Sequence, residues 1–444
     1  MKDKAGKCYK VVFIVTQLDI QKAGNQILFR TIQSYLMKGY KVLLFTSNPE
    51  SDPNRADYNS LLGKYAKNLI VYRFNPFLRP LWKLVRKLFC KTENLKIKGK
   101  PDIPEMEDAV ELVDTSVKAG LIGFISQVSF FLGGFLKLLK LVKIYRPAVI
   151  YGYEIYGAPL AWCVARICHI PLVTKFQGTI AYPILEKYKT SSWFRIPNHL
   201  IGLKTPADLV IMENDGTRGK DVLLKLKFPS KRILFLIDGV DKGFYIPNFN
   251  KKQFLKALGL SEDSKIIVVV SKLKRWKRVD RAIMAMSEVV KKIKDVILIV
   301  VGDGEERERL ERLAKELNLN NHVFFTGAIP HSEVKYYMNA ADVFLSLYDN
   351  SNLCNPVLEA LECGKCIITI DDGSTKDILV NNQNAILIKK EELFEELPKA
   401  IAKCLTDDEL RQRLEKNARI FAEKYLLSWE KRMELEIGEV EKIL

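Results

Sequence analysis

The sequence predicts an α/β protein of two consecutive units, each with a parallel β-sheet that is covered on both faces by helices. Three observations support this expectation. Short continuous runs of Val, Ile and Leu alternate with amphipathic helical segments, as buried parallel strands and their helices do. The alternation pauses once, at residues 242–263, and then restarts. A chain of 444 residues is also too long for one comfortable hydrophobic core, so more than one domain is expected.

The first unit is predicted to span residues 1–245. Its candidate strands are continuous apolar runs rather than alternating ones, which indicates burial on both faces of the sheet. A helix is expected at residues 25–38, directly after the first run. The candidate strands lie at residues 10–16, 41–46, 69–74, 149–153, 172–175, 208–212 and 232–235.

The second unit is predicted to span residues 246–427 and repeats the pattern. Its candidate strands lie at residues 265–270, 296–301, 323–326, 342–347 and 365–370, and its helices near 278–293, 305–317, 331–339 and 355–363. Beyond this unit, residues 428–444 are charged and amphipathic. We expect them to form a helix that packs back on the first unit, because an apolar helix face needs a partner.

An irregular insert at about residues 75–146 interrupts the first unit. Within it, residues 79–91 combine basic side chains with apolar ones at helical spacing, namely Leu81, Trp82, Val85, Leu88 and Phe89. This pattern is typical of a helix in a membrane interface, with an ordinary surface helix as the alternative. Residues 119–136 are uncharged, but their glycines and polar residues favour a buried or membrane-dipping helix over a span. We therefore expect peripheral membrane contact through about residues 79–91 and 119–141.

The charge balance allows three classes of partner. A formal net charge of +17 would suit nucleic acid, an anionic lipid surface or a phosphate-rich small molecule. No nucleic-acid recognition motif is present, and the basic residues lie beside apolar segments rather than on an isolated arm. No nucleic acid is therefore expected as a partner.

The spacing of cysteines and histidines predicts no metal site. The eight cysteines lack the regular spacing of a disulfide framework, which favours a reducing, cytosolic compartment. Cys363 and Cys366 form a C-x-x-C without a second pair, and the four histidines show no ligand spacing. Two packed thiols are expected instead of a zinc site.

Polar residues follow the candidate strands of the second unit, where loops at the carboxyl ends of parallel strands form a ligand crevice. Lys272 and Lys277 come after the strand at 265–270 and would suit a diphosphate, although a solvated basic cluster is the alternative. A helix is expected to begin near Pro356, since proline suits a first helical turn, and its free amides would bind an anion. Glu359, one turn further, is placed to accept hydrogen bonds from a ribose diol.

A second loop of this crevice contains Gly302, Asp303 and Gly304. It suggests a dinucleotide fingerprint, but Arg307 occupies the third glycine position, so an NAD enzyme is not favoured. A turn that lets a nucleotide approach the backbone and a simple tight turn are equally good interpretations of these glycines.

Together these motifs resemble the retaining glycosyltransferases of family 4, which have the GT-B fold. The resemblance covers residues 265–390 and continues through residues 234–241 and 428–437. It implies two Rossmann-like domains that face each other across a cleft, with the C-terminal helix returning to the first domain. In the first unit the match is looser, and the insert carries no matching motif. The matching motifs are SKLKRWKRVDRAI, IVVGDGEERERL, VFFTGAIPHSEV, YYMNAADVFL, NPVLEALECGKCIIT and DDGSTKDIL.

The resemblance also implies roles for individual residues. Lys272, where the family usually has Arg, and Lys277 would hold the donor diphosphate and stabilise the leaving group. Glu359 matches the second glutamate of the family's Glu-x7-Glu pair and would bind the ribose. Residues 302–305 and 327–329 would border the base. The predicted donor-binding residues are Gly24, Gly178, Gly302, Asp303, Gly304, Ile329, Ser351, Asn352, Cys354, Asn355, Pro356 and Glu359.

Two departures from the family pattern concern the reaction itself. Ser351 replaces the first glutamate of the pair, so a neutral residue stands where the family contacts the donor sugar. Gln177 replaces the first-domain His that precedes Gly178, and glutamine cannot carry a proton. Gln177 is nevertheless predicted to be catalytic together with Lys272 and Lys277, because the donor phosphate can itself assist deprotonation of the acceptor in this kind of enzyme.

These features predict a retaining hexosyltransferase that uses a UDP- or GDP-sugar as substrate and needs no cofactor or metal. The family's lysines and helix amides neutralise the diphosphate, and the Asp-x-Asp of metal-dependent glycosyltransferases is absent from this sequence. A lipid-linked or cell-surface glycan acceptor at the cytoplasmic face of the membrane is expected. The alternative is a catalytically weak or inactive GT-B protein that acts as a regulatory subunit in glycan assembly.

Overall fold

A computed structural model of the chain describes residues 10–21, 26–77 and 115–444. The first domain contains a parallel sheet of seven strands in this described part, with the order β3-β2-β1-β4-β5-β6-β7. These strands are β1 Val11–Thr16, β2 Lys41–Thr46, β3 Leu69–Arg73, β4 Val149–Tyr153, β5 Leu172–Phe176, β6 Leu209–Glu213 and β7 Ile233–Leu236. The predicted strands of this unit are all present to within a residue or two.

Helices cover both faces of this first sheet, and an apolar cluster lies on each face. Because both faces are buried, the strands are continuously apolar, as the sequence predicted. The helices are α1 Gln26–Met37, α2 Tyr58–Leu62, α3 Val117–Tyr145, α4 Glu154–Cys168, α5 Ala181–Tyr188, α6 Ser192–Arg195, α7 Pro197–Leu203 and α8 Gly219–Lys225.

The second domain repeats the design with a six-stranded parallel sheet of order β10-β9-β8-β11-β12-β13. Its strands are β8 Lys265–Val270, β9 Val296–Val301, β10 Val323–Gly327, β11 Val343–Ser346, β12 Cys366–Ile370 and β13 Ile386–Ile388. Its helices are α9 Lys251–Ala257, α10 Val279–Lys292, α11 Arg307–Glu316, α12 His331–Ala340, α13 Asn355–Glu362, α14 Leu393–Thr406 and α15 Asp408–Tyr425. A last helix, α16 Trp429–Glu441, follows it. The prediction of two consecutive parallel-sheet units is therefore confirmed.

The strand order reverses once in each sheet, between β1 and β4 in the first and between β8 and β11 in the second. At such a point the loops leaving the two neighbouring strands diverge and open a crevice at the carboxyl edge. In the second domain the diverging loops are residues 271–278 and 347–354. They contain the two predicted lysines and the predicted Ser351.

The uncharged stretch of the insert belongs to α3, which packs lengthwise on the first domain. Its glycines allow the close approach: a Cβ on Gly120 would lie 2.2 Å from the Phe194 carbonyl oxygen, and one on Gly134 would lie 2.7 Å from Leu160. Gln127, buried on the same face, donates to the Ile155 carbonyl at 2.7 Å. The helix is long and apolar enough to cross a membrane by composition, but this face is committed to the domain core. The predicted amphipathic helix at 79–91 lies outside the described residues.

The C-terminal helix α16 packs on the first domain rather than on the second. Ile437 and Val440 belong to the apolar cluster on one face of the first sheet. At the start of the helix, the Ser428 hydroxyl caps it by accepting from the Lys431 amide at 3.3 Å. The chain therefore crosses between the domains twice, once near residue 240 and once near residue 427, where the Val240 amide donates to the Leu427 carbonyl at 3.0 Å.

A buried ion cluster attaches α16 to the first sheet. Lys175 Nζ on β5 contacts both carboxylate oxygens of Glu436 at 2.8 and 2.7 Å and lies 3.4 Å from Glu213 on β6. Arg432 pairs with Glu436 and with Glu213, the latter at 2.6 Å. Burial and the neighbouring Glu213 raise the pKa of Asp238 well above its ordinary value. Two basic side chains thus face Glu213 and Glu436 in the interior, where each charge depends on its partners.

Replacing Lys175 by Ala leaves two buried carboxylates with a single cation between them. We expect Lys175→Ala to lower the free energy of unfolding of the first domain by about 3–5 kcal/mol, because an uncompensated buried charge remains. Denaturant titration at pH 7 measures this. The matched control is Lys442→Ala, since Lys442 pairs with Glu439 at the surface, and its effect should stay within about 0.5 kcal/mol. Equal stabilities of the two variants would contradict this account of the cluster.

Candidate active site

The loops that follow β8 and β9 are packed backbone on backbone. The Leu273 amide donates to the Asp303 carbonyl at 3.0 Å, and the Glu306 amide donates to the Leu273 carbonyl at 3.2 Å. Gly302 has φ +133°, and a Cβ there would lie 1.9 Å from the Ser271 carbonyl oxygen. This glycine is therefore required by the approach of the two loops. Their contact fixes the position of the segment that carries the predicted lysines.

The two predicted lysines have different surroundings. Lys272 is exposed, whereas Lys277 ends a 3-10 turn, Arg275–Lys277, with its Nζ 3.6 Å from the ring centroid of Tyr348 and 4.0 Å from that of Trp276. Burial lowers the pKa of Lys277 to about 8. A cation held against two aromatic faces and partly stripped of water is well suited to bind an anion. Lys277 is therefore a stronger candidate than Lys272 for binding an anion.

The loop before α13 is shaped by one of the predicted donor-binding residues. Asn352 is 1% exposed, and its side chain accepts from the Tyr348 amide and donates to the Tyr348 carbonyl, both at 2.9 Å. Its side-chain amide group is therefore occupied in shaping this loop, and donor binding by Asn352 stays a prediction. Ser351 beside it has φ +63°. Helix α13 then begins with Asn355 and Pro356, after Cys354.

Glu359, the predicted ribose ligand, already has a partner. His331 Nε2 at the start of α12 lies 2.8 Å from Glu359 Oε1, and this contact raises the pKa of His331 above its ordinary value. His331 Nδ1 lies 3.9 Å from Asp241, which accepts two hydrogen bonds from Arg30 on α1. A continuous polar chain thus links the first domain, the segment between the domains and the predicted ribose carboxylate.

The first domain contributes the loop after β5. The Gln177 amide donates to Glu154 Oε1 at 2.8 Å, and its side-chain nitrogen donates to the Tyr153 hydroxyl at 2.8 Å. Burial raises the pKa of Glu154 to about 8, so this carboxyl is largely protonated at neutral pH. Gly178 has φ +111°, and a Cβ there would lie 2.2 Å from Asp215 Oδ2. Glycine is thus the residue that lets the Asp215 carboxylate approach this loop.

The two domains touch through the loop after β6. The Leu353 amide donates to the Asp215 carbonyl at 3.1 Å, and the Ser374 amide donates to the Gly216 carbonyl at 3.0 Å. The Ser374 hydroxyl donates to Asn214 Oδ1 at 2.9 Å. The cleft is therefore closed at this point, and residues of both domains surround the predicted donor site.

Beside this contact lies an open groove of ≈ 990 Å³ between the domains. The first domain lines it with aromatic and apolar side chains, including Tyr182 and Tyr188, and with charged ones, including Lys187 and Arg218. The second domain lines it with charged loops that include Asp372 and Lys390. Its mixed lining suits a ligand with both polar and apolar parts.

The remaining predicted residues lie at the edge of the second domain or outside the described residues. Asp303 is exposed beside Gly304, and Ile329 packs at the edge of the second core. Gly24 lies outside the described residues. Cys363 and Cys366 are free thiols, and no group of three His, Cys, Asp or Glu side chains in the described ranges could hold a metal ion.

Sequence reasoning missed several polar residues of this site, chiefly Asp215, Glu154 and His331. Asp215 follows β6 as Gln177 follows β5, so its place at the end of a predicted strand was a usable signal. Glu154 directly follows β4 with φ +61°, which the sequence does not reveal. His331 lies within the motif VFFTGAIPHSEV, but its partner becomes evident only from the packing of α12 against α13.

Comparison with known proteins identifies the second domain. Residues 250–421 match the family model of Glycosyl transferases group 1. The uncharacterized glycosyltransferase MJ1069 of Methanocaldococcus jannaschii is 31% identical over 228 residues, which cover 47% of this chain and 57% of that protein. The alpha-monoglucosyldiacylglycerol synthase of Streptococcus pneumoniae is 26% identical over 53% of this chain and 54% of its own length. The chain spans about half the length of the curated relatives it matches.

Solved structures match the chain from end to end. Anabaena Alr3699/HepE in complex with UDP covers 98% of this chain and 100% of its own, with a TM-score of 0.69 and 17% identity. WaaG, a glycosyltransferase involved in lipopolysaccharide biosynthesis, covers 96% of this chain and 100% of its own, with a TM-score of 0.62 and 17% identity. At such identity the likeness establishes the GT-B fold alone. The chain therefore combines the GT-B fold with a second domain, residues 250–421, that is similar to the group 1 glycosyl transferases.

Proposed function

We propose that the chain is a hexosyltransferase that moves a sugar from a UDP- or GDP-sugar, with retention, to a lipid-linked or cell-surface glycan acceptor. The observation that carries the proposal is the convergence, at one closed cleft, of Lys277, the first turn of α13 and the polar loop at Gln177. The family match of the second domain and the fold support it. The acceptor class follows the printed name of the pneumococcal relative, which denotes glycolipid synthesis.

In this proposal the second domain holds the nucleotide. Lys277 and the positive amino end of α13 neutralise the diphosphate as it leaves, so no metal ion is required. Glu359 accepts hydrogen bonds from the ribose, which requires that it share or give up its contact with His331. The Oδ1 atom of Asn355 is buried without a hydrogen-bond partner in the described part of the chain, as expected beside a polar ligand.

The first domain then receives the acceptor. The groove of ≈ 990 Å³ is continuous with the cleft at Gly216 and Asp349, so a bound acceptor would meet the donor there. Gln177 orients groups by hydrogen bonding and cannot act as a base. The donor phosphate would accept the acceptor proton in its place, as the family resemblance implies.

We further propose that the exposed side of α3 lies in the cytoplasmic membrane interface. Its solvent-facing positions form one apolar stripe, in which Leu132 is 54% exposed and Leu136 is 73% exposed. The exposed members of the stripe are Val117, Leu121, Phe124, Val128, Leu132 and Leu136. Lys137, Lys140 and Lys143 follow on the same helix, where they would favour an anionic surface. An enzyme anchored in this way would meet a lipid-linked acceptor directly.

The second candidate function is a regulatory subunit without activity. The neutral Ser351 and the non-titrating Gln177 favour it, because both replace ionisable residues of the family pattern. Lys277 and Glu359, which remain in the cleft, argue for catalysis.

A panel of UDP-, GDP- and ADP-sugars tests the donor site. We expect one nucleotide to raise the melting temperature of the wild type, and Glu359→Ala to weaken its binding by about tenfold, since a charged hydrogen-bond acceptor is lost. Lys277→Ala should abolish sugar transfer or donor hydrolysis. Glu308→Ala, on the exposed face of α11, is the control and should bind as the wild type does. Binding without turnover in the wild type would favour the regulatory function.

The pH dependence of nucleotide binding tests Lys277 directly. Because burial lowers the pKa of Lys277 to about 8, the free site is charged at pH 7 and loses its charge as the pH rises through 8. We expect the affinity for the nucleoside diphosphate to fall by up to about tenfold per pH unit above that point. In Lys277→Arg the guanidinium stays charged. The affinity of this variant for the nucleoside diphosphate, measured by calorimetry, should therefore stay constant up to about pH 9.5. The same pH dependence of affinity in the wild type and in Lys277→Arg would contradict the assignment of Lys277 to the diphosphate.

Vesicle sedimentation tests the membrane surface. Replacing Leu121, Leu132 and Leu136 by Ser should reduce binding to vesicles of phosphatidylcholine with about 30% phosphatidylglycerol by about tenfold or more, because apolar area no longer enters the interface. The control replaces Leu224, Val380 and Ile420 by Ser; these residues are also exposed but lie outside α3. If both triple variants bind as the wild type does, α3 is not the contact.

A further inference from the structure

The loop after β6 presents a carboxylate to the cleft. Asp215 Oδ1 accepts from the Thr217 hydroxyl at 2.5 Å and from the Thr217 amide at 3.1 Å. The same hydroxyl accepts from the Thr179 amide at 2.9 Å, which ties this loop to the one at Gly178. Asp215 is therefore held on the first domain by a hydrogen-bonded frame, and its other oxygen faces the Gly178 backbone.

From across the cleft, the second domain meets this carboxylate with a neutral partner. Burial raises the pKa of the Asp215 carboxyl, and the nearby Ser351 hydroxyl opposes that shift. In the same loop as Ser351, the Leu353 amide donates to the Asp215 carbonyl at 3.1 Å. Lys277 lies close enough for its charge to be influenced by Asp215. A carboxylate of the first domain thus occupies the space beside the position where the family pattern has a glutamate and this chain has Ser351.

The chemistry of the cleft gives this carboxylate a substrate group to bind. A sugar attached to a diphosphate at Lys277 would project into the gap between Lys277 and the first domain. Asp215 borders that gap, and an ionised carboxylate accepts hydrogen bonds from neighbouring sugar hydroxyls without donating any. Glu154, the other carboxyl nearby, is largely neutral because burial raises its pKa to about 8, so it is the weaker hydrogen-bond acceptor of the two. Burial raises the pKa of Asp215 only to about 6, so it remains mostly ionised at neutral pH.

We propose that Asp215 of the first domain binds the hydroxyls of the transferred sugar, in place of a carboxylate at position 351, and that Ser351 orients it. The proposal rests on the proposed function, since it takes a nucleotide-sugar as the ligand. It adds that recognition of the sugar, unlike that of the nucleotide, requires both domains. The nucleotide contacts only the second domain, whereas Asp215 reaches the sugar only while the loops of Asp215 and Leu353 are joined.

Calorimetry with two ligands tests this division. Asp215→Asn keeps the size of the side chain and the acceptor for Thr217 but removes the charge. We expect its affinity for the nucleoside diphosphate to stay within about twofold of the wild type, while its affinity for the nucleotide-sugar falls by about tenfold or more. Asp221→Asn, an exposed residue paired with Arg218, is the control and should change neither affinity. Melting temperatures of the variants, measured without ligand, verify folding.

A second test moves the carboxylate from position 215 to position 351. Ser351→Glu alone should weaken nucleotide-sugar binding, because two carboxylates would then share one space. The double variant with Asp215→Asn and Ser351→Glu should recover most of the lost affinity, since a single carboxylate again faces the sugar. An equal loss of affinity for the two ligands in Asp215→Asn, or no loss of affinity for either ligand, would overturn the proposal. A wild type that binds the nucleoside diphosphate but not the sugar conjugate would overturn it as well, whereas a wild type that binds neither ligand would also remove the proposed function.

Discussion

The buried ion cluster of Lys175, Arg432, Glu213 and Glu436 is the constraint on which the two-domain arrangement depends. Each charge would be costly alone in a dry interior, so the cluster is tolerable only when all its members are present. Two members lie on the first sheet and two on the last helix of the chain. The first domain is therefore complete only after the chain has passed through the second domain and returned. The first domain thus cannot finish folding before the second domain has been synthesised.

The return of the chain also brings its two crossings between the domains together. The two crossings run side by side, and the Val240 amide bonds the Leu427 carbonyl between them. From the first crossing, Asp241 contacts Arg30 on one side and His331 on the other, and His331 reaches Glu359. These contacts connect the segment between the domains to the polar surroundings of the predicted ribose ligand. The domain crossing and the predicted nucleotide site thus share one set of side chains.

The sequence predicted the sheets well because continuous Val/Ile/Leu runs leave few alternatives to buried parallel strands. It missed β13, since three residues at a sheet edge carry almost no pattern, and it made no prediction for α14 and α15. For the site, motif spacing located Lys277 and the start of α13 at one crevice. It could not distinguish the enclosed Lys277 from the exposed Lys272, and it did not reveal that the side-chain amide of Asn352 holds a turn. Those differences arise from contacts between loops far apart in sequence, as does the position of Asp215.

The closed cleft is joined by two backbone hydrogen bonds, from the Leu353 amide to Asp215 and from the Ser374 amide to Gly216. The Ser374 hydroxyl adds a third, which it donates to the Asn214 side chain. At the tightest point a Cβ on Gly373 would lie 1.9 Å from the Gly216 carbonyl oxygen, so peptide meets peptide with no side chain between them. Hydrogen bonds of this kind are exchanged for water at a net cost of about 1 kcal/mol each. Separation at this point uncovers polar groups that water can satisfy at once. The contact therefore holds the cleft closed by hydrogen bonds that water can replace at small cost.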